Sequence, residues 1–400
     1  MARPRFEVAD VLRLHGDAFL HAHPQPPHVC SALNLIQICR TAALDGHLDR
    51  CPGCGFERPS YNSCRNRHCP KCQTVAKQEW LEARQAELLD VPYFHCVFTL
   101  PHELNPLILQ NKEAMLGLLF QSVNETLQGF AKHPKWKLEG QPGFIAVLHT
   151  WNQELRDHFH LHVIIPAGVL RGTDFIRSPQ ARFLFPVRAL GNVFAAKYRD
   201  GLQKLFEAGR LGFHGQLEAL AEPAAFKRLL NETKKKKWNV YAKRPFGGPA
   251  QVFDYLGRYT HRVAIGNHRI KNIEGGNVTF TAKDRKRNKT YSVVLDAEEF
   301  IRRFTLHILP PNFMKIRAYG FLANTNKKQA LKIIRTSLGM QPPPEPAEDE
   351  PTETSAEKIL RLTGLDIARC PRCKTKLVAG PLPLPDPIAK KTGARAKAPP

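Results

Sequence analysis

No stretch of this 400-residue chain approaches the ~20 consecutive apolar residues that a membrane span requires. The N-terminus, MARPRFEVADVLRLHGDAF, interrupts its apolar positions with charges every few residues and has no signal-peptide hydrophobic region. A secreted or membrane-spanning protein is therefore not expected, and the cytoplasm is the expected compartment. Acidic residues are scarce, 36 Asp and Glu against 59 Lys and Arg, so the formal net charge is +23. Cysteine is nearly absent outside one segment: seven of the ten lie in residues 30–72, Cys96 stands alone, and Cys370-x2-Cys373 completes the set. A disulfide frame suits smaller secreted domains, so closely paired cysteines here read as metal ligands in a reducing compartment. What is present in quantity is apolar residues, 42% of the chain, which supply one or two cores and exclude a wholly disordered polymer.

The positive charge is concentrated. Residues 227–290 hold 17 Lys and Arg against four acids, a local net of +13. Such a density implies a surface that faces a polyanion, and nucleic acid is the expected one. Lys234, Lys235, Lys236, Lys237, Lys243, Arg244, Arg258 and Arg262 are the candidate contacts.

Residues 6–46 carry apolar positions at helical spacing, whereas 47–73 are cysteine-rich, loop-like and short of large apolar residues. A segment of that kind needs a metal to hold it. KQEWLEARQAELLD (77–90) predicts a helix, and YFHCVFTL (93–100) a strand ended by Pro101. Residues 103–132 predict one or two helices. GFIAVLHTW (143–151) and HLHVIIP (160–166) predict an antiparallel strand pair, and 187–232 is again helical in pattern. A helix from about Pro249 to His261 is followed by three strands, HRIKNI, NVTFTAK and KTYSVVL. Residues 296–309 predict a helix with Asp296 at its start. The proline-rich acidic stretch 341–356 reads as a disordered linker before a terminal CxxC segment and flexible tail, 357–400.

Two constellations carry chemistry. Cys51-x2-Cys54 and Cys69-x2-Cys72 are separated by 14 residues, a zinc-ribbon spacing, so the four thiolates are expected on one tetrahedral structural zinc. Cys64, His68 and His47 are surplus to it, serving a second ion or none. Arg65, Arg67 and Lys71 beside the hooks are candidate phosphate contacts. Cys370-x2-Cys373 lacks a visible second half, and reads either as a zinc site completed by a distant or partner ligand or as a half-decayed ribbon. The second constellation is His160-Leu161-His162, two imidazoles on one face of a strand, with His149 able to approach across the ladder. Three neutral imidazoles suit a divalent ion that must also bind substrate oxygen. Tyr255 and Tyr259, four apart, would share a helix face amid Arg258, His261 and Arg262, and a phenol in such surroundings is a candidate nucleophile.

The segments CRTAALDGHLDRCPGCG, YNSCRNRHCPKCQ, PYFHCVFTLPHELNPL, VLHTWNQELRDHFHLH, YAKRPFGGPAQVFDYLGRYTHRVAI and FIRRFTLHILPPNFMKIRAYGFLA resemble, in order, the two-tyrosine HUH transposases of bacterial rolling-circle insertion sequences, the IS-ninety-one family. The resemblance spans roughly residues 30–325. It implies an α+β chain: a zinc-ribbon-like N-terminal domain (1–90), then an HUH endonuclease domain (91–340) with a central antiparallel sheet flanked by helices. It also implies cleavage and rejoining of single-stranded DNA at element ends and target through a 5′-phosphotyrosine, with Mg²⁺ or Mn²⁺ and without a nucleotide cofactor. His160 and His162 become the HUH pair and Tyr255 and Tyr259 the nucleophiles, with His149 as third ligand. A plasmid replication initiator or relaxase of the same chemistry, and a non-catalytic zinc-ribbon DNA-binding protein, are the alternatives.

Overall fold

Near-continuous apolar runs in three segments produce the sheet that organises the molecule. In this computed structural model, which describes residues 4–85, 87–179, 184–243, 257, 263–284, 287–341 and 353–382, these segments are β3 (Tyr93–Thr99), β4 (Phe144–Trp151) and β5 (Asp157–Pro166). With β8 (Val240–Lys243) and β12 (Ile316–Tyr319) they form a five-stranded sheet in the order β12-β4-β5-β3-β8, every neighbouring pair antiparallel.

The period of two divides this sheet into two environments. One face, carrying Phe94, Cys96, Phe98, Leu161 and Val163, is buried under α5 (Lys112–Lys132) and α6 (Val187–Glu207) through Leu116, Leu119, Phe194 and Tyr198. The other face carries Tyr93, Ile145, Val147 and Ile164, which pack with Leu89, Phe321, Leu331 and Ile334; the last two belong to α9 (Lys327–Ser337). Beyond Val147 and Ile164 the same face continues into His149, His160 and His162.

A separate core joins distant segments. Helices α1 (Val8–Ala22) and α2 (Pro27–Ile38) pack through Val8, Leu12, Phe19, Leu33 and Ile36 against Phe280, Phe300, Ile301 and Phe304. Those partners come from the three-stranded antiparallel sheet β9 (Ile270–Glu274), β10 (Asn277–Asp284) and β11 (Lys289–Asp296) and from α8 (Ala297–Leu306). Asp296 caps α8 as its position predicts, its carboxylate accepting from the Glu298 amide at 2.8 Å. The N-terminal helices thus share their core with residues that lie well past position 90.

The cysteine-rich segment departs from the loop predicted for it. Its residues form a hairpin, β1 (Gly46–Arg50) with β2 (Glu57–Tyr61), whose polar composition hid it from a hydrophobic-pattern reading. The chain end returns to this hairpin: β13 (Val378–Gly380) pairs antiparallel with the free edge of β1. It follows α10 (Ser355–Thr363), where Thr354 and Glu357 form a capping box. The last two residues of the stretch read as linker, 355 and 356, are therefore helical, while 342–352 lie outside the described residues. Among the described residues no helix is long and apolar enough to cross a membrane.

Candidate metal centres

The hairpin β4–β5 sets the imidazoles. Asn152 closes its tip, its side-chain oxygen accepting from the amides of Glu154 (2.9 Å) and Arg156 (3.0 Å), an Asx turn that fixes the register. In that register His149 lies directly opposite His160, with His162 two residues further along the same face. The three rings converge: centroids are 4.5 Å apart for His149–His162, 5.3 Å for His149–His160 and 4.9 Å for His160–His162. All three are buried.

Hydrogen bonds around the rings orient them. The carbonyl oxygen of His158 can only accept, so His160 donates to it from Nδ1 at 2.9 Å, which leaves its Nε2 as a lone pair. Nδ1 of His162 lies 2.8 Å from Nε2 of His95. With that Nδ1 protonated, Nε2 of His162 is also a lone pair, and it faces Nε2 of His160 at 3.2 Å. Two lone pairs at that separation repel unless a cation lies between them, and metal–nitrogen bonds near ~2.1 Å span the gap. The donor set therefore fits a divalent ion, with His158 and His95 orienting the ligands from behind. His95 was missed by sequence reasoning. It sits in the apolar run YFHCVFT, where a single histidine reads as core, and only the period of two shared with Val97, opposite His162, indicated its face.

The cysteines assort differently from the spacing-based expectation. Cys51 and Cys54 do not join Cys69 and Cys72 on one ion. Cys39, Cys64, Cys69 and Cys72 form one cluster, and Cys51, Cys54, Cys370 and Cys373 another, each with its sulfurs within 4.8 Å of one another. The cause is the hairpin: Cys51 and Cys54 sit at its tip, and β2 carries the chain back over five residues at ~3.4 Å each before Cys64. At that end Cys39, just past α2, supplies the ligand that the CxxC pattern did not flag; its sulfur is 3.5 Å from that of Cys72, and Cys64 is 3.6 Å from Cys72. Hydrogen bonding from Cys69 holds the Cys72 thiol down to about 4, while burial pushes Cys64 up to about 12. Cys30 belongs to neither cluster, nor does Cys96, whose thiol burial pushes up to about 12.

His47 and His68 join neither cluster. His47 pairs with Asp49 on β1 at 3.1 Å. His68 lines a small cavity with Thr150, His307 and Lys315, and burial first, then the nearby cations, pushes its pKa down to about 3. Two cations expected to meet phosphate are tied up internally: Arg67 donates to the carbonyls of Phe313 and Pro310, both at 2.6 Å, and Lys71 pairs with Glu7 at 2.9 Å. Arg65 is exposed. Lys234, Lys235 and Lys237 are exposed at and beyond the end of α7 (Pro223–Lys235), and Lys236 pairs with Glu103 at 2.6 Å. Lys243 stands on β8 opposite His95 in the ladder. Arg244, Tyr255, Arg258, Tyr259 and Arg262 lie outside the described residues; Gly257, between the tyrosines, is helical, and a Cβ there would meet the Leu81 side chain of α3 (Gln73–Gln85) at 2.5 Å.

The chain is similar in sequence to known proteins. Residues 143–330 match the family described as "Putative transposase", and residues 11–100 the family described as "Transposase zinc-binding domain". The class is thus a transposase with an N-terminal zinc-binding domain. The chain is 45% identical over 377 residues, covering 93% of it and 94% of the relative, to "Putative transposase y4qJ" of Sinorhizobium fredii. It is 27% identical over 320 residues, 79% of the chain and 74% of the relative, to the "Transposase for insertion sequence element IS801" of Pseudomonas savastanoi pv. phaseolicola. No solved structure matches it significantly. The chain belongs to the IS-ninety-one (IS91) family of transposases.

Proposed function

We propose that this transposase cleaves and rejoins single-stranded DNA through a 5′-phosphotyrosine, moving an insertion sequence by a rolling-circle route. The convergence of His149, His160 and His162, with the His160 ring oriented by the His158 carbonyl and the His162 ring by His95, supports this reading. A bound Mg²⁺ or Mn²⁺ would supply Lewis-acid polarisation of the scissile phosphate. Tyr255 or Tyr259 attacks phosphorus: the phenolic O–P bond forms, the bond from phosphorus to the 3′-oxygen breaks, and the phenolic proton is lost as the 3′-hydroxyl gains one. One phosphodiester replaces another, so rejoining needs no nucleotide cofactor. Two tyrosines permit two successive cleavages, one holding the first end while the other cuts.

Lys234, Lys235, Lys237, Lys243, Arg244, Arg258 and Arg262 neutralise backbone phosphates of the strand in this reading. Cys39, Cys64, Cys69 and Cys72 hold a structural zinc that fastens the end of α2 to the start of α3. Such an enzyme works where bacterial DNA is, in the cytoplasm. The test is labelled single-stranded DNA of an element end with Mn²⁺. A covalent adduct is expected from the wild type and none from the Tyr255→Phe, Tyr259→Phe double variant or from His160→Ala, with most DNA affinity retained. An adduct that survives in the double variant ends the assignment of the nucleophiles, and binding without any adduct in the wild type ends the enzymatic reading.

A further inference from the structure

Cys370 and Cys373 lie outside both family matches, which end at residues 100 and 330, and more than 300 positions from Cys51 and Cys54. Yet the two pairs meet. The sulfurs of Cys51 and Cys373 are 3.3 Å apart and those of Cys54 and Cys370 3.6 Å, with all four within 4.8 Å. A tetrahedron of Zn–S bonds near ~2.3 Å sets sulfurs roughly 3.8 Å apart, whereas a disulfide needs about 2.05 Å. The spacing suits an ion shared by four thiolates.

The backbone makes the same case independently. Both pairs read Cys-Pro-x-Cys, and both fold into the same knuckle. The Cys51 amide donates to Phe56 O at 2.8 Å and the Gly55 amide to Cys51 O at 3.0 Å. The Cys370 amide donates to Thr375 O at 2.8 Å and the Lys374 amide to Cys370 O at 3.0 Å. The residue after each second cysteine is left-handed, Gly55 at φ 68° and Lys374 at φ 64°. Such a turn aims both sulfurs and nearby amides at one point, and here two copies face each other. They approach closely: a Cβ on Gly53 would meet Thr375 Oγ1 at 2.8 Å. Around them β13 extends the β1–β2 hairpin, Arg58 bridges Asp49 (2.7 Å) and the Ile367 carbonyl (3.0 Å), and Arg372 lies over the Phe56 ring.

We propose that Cys51, Cys54, Cys370 and Cys373 hold a second zinc ion, which clasps the C-terminal arm, residues 353–382, onto the N-terminal zinc-binding domain. The clasp fixes α10 as well. Lys358 pairs with Glu79 at 2.9 Å and Arg361 with Glu82 at 2.6 Å, both acids on α3. Exposed ion pairs of this kind hold little by themselves, so it is the ion at the far end of the arm that makes the docking persist. The arm is therefore a part of the zinc domain contributed from the other end of the chain.

The purified full-length chain is expected to release two zinc ions per molecule on mercurial titration, and the Cys370→Ser, Cys373→Ser variant one. Hydrogen exchange should then quicken at least tenfold in residues 355–363 and 46–50, with the β4–β5 peptides unchanged. A variant that keeps two ions, or a wild type that holds one, overturns the proposal. Thiol alkylation of the zinc-loaded wild type gives a readout that does not depend on a variant folding. Cys51, Cys54, Cys370 and Cys373 should be protected as a set and become reactive together on chelation, and alkylation of Cys370 and Cys373 at the rate of free thiols overturns the clasp. None of these readouts uses DNA cleavage, so they stand or fall apart from the nuclease reading.

Discussion

At the residue scale, three imidazoles converge, and two of them have an outer nitrogen committed: His160 to the His158 carbonyl and His162 to His95. His160 was legible from the period of two within β5, and His149 from the position of its strand. His95 was not, because an isolated histidine in an apolar strand gives no signal until the register of β3 against β5 is known. Its contact with His162 Nδ1 at 2.8 Å makes it a positioning residue for that ring. His95→Leu is expected to weaken Mn²⁺ binding about 10- to 100-fold in calorimetric titration, and His95→Gln, which keeps an acceptor, to recover part of the loss. Equal affinities for wild type and both variants would mean that His162 holds its orientation unaided. Cys39 teaches a similar lesson: in sequence it is the end of a helix, and only the turn after α2 brings it to Cys64 and Cys72.

At the element scale, the β4–β5 hairpin is clamped from outside. Its tip carbonyls accept from α8 and its surroundings: Arg303 reaches Glu154 O at 3.0 Å, and His307 Nε2 donates to Leu155 O at 2.9 Å. His307 is fully buried there, and burial pushes its pKa down to about 4 from 6.5. Between those values the unfolded chain binds more protons than the native one, so stability rises with pH across the window and is lost as pH falls from 6.5 toward 4. At about 1.4 kcal/mol per unit the loss amounts to roughly 3 kcal/mol. Urea unfolding from pH 4.5 to 7 should show a shallower slope for His307→Gln than for wild type; since the metal ligands protonate in both, the difference isolates His307. Identical slopes would contradict the burial argument. The strands of this hairpin and the helix α8 were legible from pattern, whereas β1 and β2 are short and polar and β13 is only three residues long, so none of the three carries such a pattern.

At the scale of the whole molecule, the chain is closed on itself. Helices α1 and α2 share a core with residues 264–308, and β13 completes the sheet begun at Gly46. The arm held by Cys370 and Cys373 abuts α3, and Leu81 of that helix lies against Gly257. Charge operates at this scale too. Lys234, Lys235 and Lys237 project from one site into solvent, whereas Arg67 and Lys71, equally basic in sequence, are consumed by internal partners. Replacing the three exposed lysines with alanine is expected to lower the slope of log affinity for single-stranded DNA against log salt by about 2, at ~0.7 for each phosphate contact. An unchanged slope would place the strand on another surface.

Sequence alone determined what is local: helices and strands with strong periodicity, a shared strand face for His160 and His162, the paired cysteine hooks, and a basic segment matching a DNA-processing family. Tertiary structure decided which ligands meet. Metal centres need donors within a few ångströms in space, whereas sequence records only their distance along the chain. A hairpin of five-residue strands was enough to separate two neighbouring hooks and give each a partner the spacing did not name: Cys39 with Cys64 for one, and a pair from the far end of the chain for the other.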